Sequence, residues 1–78
     1  MDFYIAKDCS GIWFFKDCPD LVKFSANAPV EWTGYPVNFG DFKDSIMKMV
    51  ANNPIIDELE DYGNPIHVKI TALNVSIV

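Results

Sequence analysis

The stretch Phe3-Tyr4-Ile5-Ala6-Lys7-Asp8-Cys9-Ser10-Gly11-Ile12-Trp13-Phe14-Phe15 constrains the fold more than any other part of the chain. Two runs of strand character flank Asp8-Cys9-Ser10-Gly11, in which Asp suits the start of a turn and Gly takes positive φ. Residues 2–7 and 11–16 therefore read as a hairpin. Side chains alternate sides along a strand, so Ile12 and Phe14 point one way and Trp13 and Phe15 the other. Both faces of the second strand are apolar. A single covering layer hides one face, and in a chain of 78 residues the second cover can be another molecule.

That length is one domain, residues 1–78, and it buries roughly 60–65% of the surface its unfolded chain exposes, enough for one thin core. Half of the residues are hydrophobic and eleven are aromatic, the composition of a globule rather than a disordered tail. No apolar run approaches the ~18–20 residues of a membrane span, so no membrane partner is expected. Met1-Asp2-Phe3-Tyr4 lacks the basic and apolar regions of a secretory signal, which makes the cytoplasm the expected location. Cys9 and Cys18 agree with that location. An extended segment 11–16 separates them by roughly 17–20 Å, whereas a disulfide needs Cα atoms within about 7 Å. Both are expected as free thiols.

The periodicity continues past the hairpin. Val22, Phe24 and Ala26 alternate with Lys23 and Ser25, and Val30 and Trp32 with Glu31 and Thr33, giving short strands over 21–26 and 30–33 with a turn at Asn27-Ala28-Pro29. Phe39, Phe42, Ile46, Met49 and Val50 then recur at helical spacing, and Asn38 with Asp41 suits the helix start, so a helix spans roughly 39–52. Asn53-Pro54 reads as an N-cap and first-turn proline of a second helix carrying Ile55, Ile56, Leu59 and Tyr62, ended by Gly63-Asn64-Pro65. Ile66, Val68 and Ile70 alternate with His67, Lys69 and Thr71. The apolar parity switches from Leu73, which calls for a bulge or turn near Thr71-Ala72 before a paired C-terminal strand. The expected fold class is α+β: a small, mainly antiparallel sheet of four N-terminal and one or two C-terminal strands, packed against a two-helix segment.

The net charge of −5 comes from eleven acidic residues against six lysines, and there is no arginine. Lacking the arginine fork and carrying excess negative charge, the chain is not expected to bind nucleic acid. Asp57, Glu58, Glu60 and Asp61 fall together without a counter-charge nearby in sequence. They read as a solvated helix face or, functionally, as an acidic surface that speeds encounter with a basic partner. A calcium loop needs oxygens converging across a turn with a central Gly, which this run lacks.

His67, the sole histidine, shares the polar face of its strand with Lys69 and Thr71 and reads as a solvent-facing residue rather than a catalytic base. Each cysteine adjoins an aspartate that opposes thiolate formation, which disfavours a Cys–His nucleophile. The C-x8-C spacing does not match the short paired spacings of zinc sites. No catalytic residue, metal or cofactor is expected, and the chain does not read as an enzyme.

Tyr4-Ile5-Ala6-Lys7-Asp8, followed by Gly11-Ile12-Trp13-Phe14-Phe15-Lys16 and Pro19, resembles the opening of small uncharacterised proteins from phages and mobile elements of gut bacteria, which share Y-I-A-[RK]-D followed by G-x-W-x-F. The resemblance covers the first quarter of the chain and brings no functional residue with it. It implies a small accessory protein that binds and modulates a host or phage component.

A single sheet with one helical layer buries one face, leaving Tyr4, Trp13, Phe15, Trp32 and Tyr35 as candidates for a partner-binding surface. The expected function is recognition of a protein, either a second copy in a homodimer or a larger partner. The alternative is a small-ligand module whose aromatic cleft uses polar groups such as Tyr35 or Glu31.

Overall fold

The computed structural model describes residues 1–71 and 74–78. The chain forms β1 (Asp2–Asp8), β2 (Gly11–Phe15), β3 (Asp20–Lys23), β4 (Val30–Thr33), a helix α1 (Lys43–Ala51) entered through a 3-10 turn at Gly40–Phe42, a second 3-10 turn at Pro54–Glu58, then β5 (Ile66–Thr71) and β6 (Asn74–Ile77). It is an α+β fold whose strands all pair antiparallel.

The strands do not form one sheet. Four join in the order β2-β1-β5-β6, and β3 pairs only with β4 in a separate two-stranded sheet. β1, the most buried strand, is one of the two central ones, with Ile5 opposite Phe14 on one side and Ile66 on the other. Phe3 and Ile5 are fully buried there. The 66–78 segment makes two strands that pair from Val68↔Ile77 to Thr71↔Asn74. The bulge or turn expected near Thr71-Ala72 and the parity change at Leu73 rest on residues 72 and 73, outside the described residues.

Phe3, Ile5, Val68 and Val75 from one face of the larger sheet share the main core with Phe39, Ile46 and Val50 and with Ile55 and Leu59. Phe39 anchors this layer, its ring edge-on to both Phe3 (5.1 Å) and Phe14 (5.6 Å). The helix was expected over 39–52 and runs, turn included, from Gly40 to Ala51. Asn38 Oδ1 accepts from the Gly40 N–H at 2.9 Å in a turn just before the helical segment, but the cap positions are Phe39 and Phe42, neither of which makes a side-chain cap bond, so the capping expected of Asn38 and Asp41 does not form. Phe42 departs from the expected stripe. It sits where 3-10 winding gives way to α, with non-helical angles of φ −91° and ψ 2°, and it is 71% exposed.

The expected second helix is a five-residue 3-10 turn instead. Asn53 caps it as expected, its Oδ1 accepting from the Ile55 N–H at 3.0 Å behind Pro54. Its amide also donates to the Val75 carbonyl at 2.8 Å, tying the turn to β6. Winding stops because Leu59 is extended and Tyr62 takes a positive φ of 59°. The strand expected over 21–26 likewise ends early. Lys23 opposite Val30 is the last pair, so Phe24, Ser25 and Ala26 have no partner strand and turn away.

Beyond β2, the outer edge of the larger sheet is taken up over its C-terminal half by residues 35–37. Lys16 N–H donates to the Tyr35 carbonyl (2.7 Å) and Val37 N–H to the Phe14 carbonyl (3.3 Å), placing Pro36 opposite Phe15.

Candidate functional site

The face of the larger sheet turned away from α1 carries Tyr4, Ala6 and Asp8 from β1, Trp13 and Phe15 from β2, and His67 and Lys69 from β5. It has a partial cover of its own. Trp32 of β4 donates its indole N–H to the Lys7 carbonyl at 3.0 Å, bringing the small β3–β4 sheet against β1. Ala6, with only a methyl group on this face, is fully buried. Phe15 is covered as well, 7% exposed, with Gly34 and Pro19 packed closely enough that a Cβ on Gly34 would lie 3.1 Å from its ring.

Between these layers lies a cleft of about 360 Å³, lined by Asp8, Trp13, Phe15, Glu31, Trp32 and Pro36, with Gly34 beside them. Trp13 stands at its rim, 49% exposed. Hairpin register explains its posture: Trp13 lies opposite Ala6 and diagonal to Asp8, within reach of a long side chain. Its indole N–H donates to Asp8 Oδ2 at 2.7 Å, a short charge-assisted bond. The other carboxylate oxygen, Oδ1, accepts from the Ser10 and Gly11 N–H groups at 2.7 and 3.0 Å. One aspartate thus holds the β1–β2 turn and an exposed tryptophan at once.

Of the five aromatic candidates, the structure brings Trp13, Phe15 and Trp32 together at this cleft, with Phe15 as buried floor rather than exposed anchor. Tyr4 is half-buried and stacks on His67, ring centroids 4.3 Å apart at an interplanar angle of 6°. Tyr35 is 74% exposed and lies outside the cleft lining, whereas Glu31, named with it, is part of that lining. Asp8 is the site residue that sequence reading missed. Its sequence context explains only the turn, whereas the hairpin register sets it beside Trp13.

His67 lies on the outer face as expected, half-buried, with Nε2 3.4 Å from Asp2 Oδ2. Cys9 and Cys18 are free and exposed, one in the β1–β2 turn and one beyond β2. Cys9 Sγ lies 3.4 Å from the Tyr62 hydroxyl, a contact that raises the tyrosine above its ordinary titration range, with desolvation adding to it. The acidic residues do not share a helix face. Asp57 and Glu58 lie in the 3-10 turn and Glu60 and Asp61 beyond it, all exposed. Asp61 does have a counter-charge, supplied by the distant fold: Lys7 Nζ is 3.6 Å from Oδ1.

A second groove, about 420 Å³, runs between β2 and the start of α1, lined chiefly by apolar side chains including Ile12, Val37 and Met47. No helix among the described residues is long and apolar enough to cross a membrane. Compared with protein-family models, curated proteins and solved structures, the chain finds no match.

Proposed function

We propose that this protein is a small recognition module without catalytic activity, binding a protein partner or a second copy of itself at the Trp13–Trp32 cleft. The observation that carries this reading is that Trp13 is held without being buried, half exposed while its N–H is fixed on Asp8 at 2.7 Å. A large aromatic ring already fixed in place loses little freedom on binding, the property that makes tryptophan an effective interface anchor. The resemblance of the opening residues to phage and mobile-element proteins fits an accessory role in the cytoplasm, with a host or phage component as partner. The cleft volume of about 360 Å³ also supports a second reading, a small-molecule ligand, since such sites commonly start at ~300 Å³.

Solution mass across a concentration series, with lysate capture by the tagged protein, separates the readings. A self-associating or partner-binding module shows a concentration-dependent mass or retains a stoichiometric partner, and Trp13→Ala abolishes either while remaining folded. A monomer that retains nothing removes the protein-recognition reading. Capture undiminished in Trp13→Ala moves the interface elsewhere.

A further inference from the structure

We propose that the Trp13–Trp32 cleft receives an arginine side chain of a protein partner, a proposal that rests on the recognition reading above and specifies its chemistry. The cleft combines the two features a guanidinium seeks: aromatic faces to lie against and carboxylates to receive its fork of N–H donors. Trp13 and Trp32 line the cleft from different sheets, and Asp8 and Glu31 line it with their carboxylates. Both indole N–H groups are bonded to acceptors within this fold, Trp13 to Asp8 and Trp32 to the Lys7 carbonyl, so each ring is fixed in orientation. Donation to a carboxylate also pushes electron density into the Trp13 ring, which strengthens the attraction of its face for a cation.

The carboxylates have capacity to spare. Two carboxylate oxygens offer about four acceptor directions, and Asp8 uses three of them on Ser10, Gly11 and Trp13. Glu31 is exposed and takes part in no side-chain hydrogen bond or ion pair among the described residues. A net charge of −5 favours the approach of a basic group. The sequence also identifies which partner qualifies. Because this chain contains no arginine, a second copy cannot fill the site, and the arginine belongs to a different protein.

The chain has two tryptophans, and both line this cleft; Trp13 also borders the groove beside α1, so it is the Trp32 indole N–H resonance of the labelled protein that reports on the cleft specifically, with Trp13 beside it. The test titrates in a short Gly/Ser peptide with one central arginine, and its twin with citrulline, the neutral near-isostere. Both indole signals are expected to shift saturably with the arginine peptide, and the citrulline twin to bind about tenfold more weakly. Glu31→Gln, an exposed substitution that leaves the fold in place, is expected to weaken the arginine peptide several-fold, roughly as one charge-assisted contact is worth, and to leave the citrulline peptide unchanged. Equal binding of the twins, or no shift with either, overturns the proposal. So does free guanidinium chloride matching the arginine peptide at equal concentration and ionic strength, which would make the ligand a small cation. If Trp13→Ala abolishes lysate capture while the twins bind alike, recognition at the cleft stands and the arginine assignment alone falls.

Discussion

The two faces of the larger sheet are built by different rules. Under α1, Phe3, Ile5 and Val68 meet Phe39, Ile46 and Val50, and the layers close into a continuous apolar core. On the opposite face the cover is a two-stranded sheet, which closes over Ala6 and Phe15 and leaves the cleft, with Trp13 exposed at its rim. Neighbouring residues of one strand consequently have different tasks: Phe14 holds layers together, and Trp13 is held out toward solvent by a carboxylate. A strand apolar on both faces does not by itself signal an open interface. What matters is how far the second cover extends, and here it closes over Ala6 and Phe15 while leaving Trp13 half exposed.

The sharpest attempt to break this contrast is Phe14→Ala. The half-buried ring packs against Phe39 and Phe3, and its loss is expected to cost about 3–4 kcal/mol, a large share of the stability of so small a domain, measured by urea unfolding. Phe15→Ala, on the other face, is expected to cost about 3 kcal/mol. A loss below about 1 kcal/mol would mean that the β3–β4 cover is not a packed layer. Trp13→Ala should cost only about 1–2 kcal/mol of stability, chiefly the bond to Asp8, while removing ~2 kcal/mol or more of partner binding. Equal destabilisation by Trp13→Ala and Phe14→Ala would erase the distinction between the faces. Gly34→Ala sharpens the middle ground. Its Cβ would sit 3.1 Å from Phe15 and 3.4 Å from the Pro19 Cα, so a loss of about 1 kcal/mol is expected in the melting curve.

The smallest effect concerns Tyr62. Because its folded-state titration lies above the ordinary value of 10.0, its contribution to stability is intact below that pH and is lost as pH rises through the folded value. Tyr62→Phe should flatten this alkaline dependence slightly. An unchanged slope above pH 10 would show that the Cys9 contact has no energetic weight.

Features set by neighbours in sequence were legible before the structure. The first hairpin, the helix and the Asn53-Pro54 cap each rest on contacts within a few residues. Pairing between distant strands was not legible. Alternation says which way a side chain points but not which strand lies beside it, so nothing local indicates that β1 pairs with β5, or that β3 and β4 leave the main sheet. Strand β3 was read three residues too long for the same reason: Phe24 and Ala26 keep the alternation, but their partner strand has ended. At the site, the tryptophans, Phe15 and Glu31 were legible as types of surface. Their convergence depends on Trp32 reaching back to Lys7, 25 positions earlier, and no local pattern records that.

Pro36 has a consequence for how this molecule meets its own kind. It lies opposite Phe15 at the outer margin of the larger sheet, and the bonds to β2 are made by the residues on either side of it, so its own backbone nitrogen faces outward. At that point a newly arriving strand would look for a donor, and proline has none. The residues that shelter half of the β2 edge therefore also deny a template to further strands, and stacking of copies into cross-β filaments is interrupted there by the absence of a single hydrogen atom.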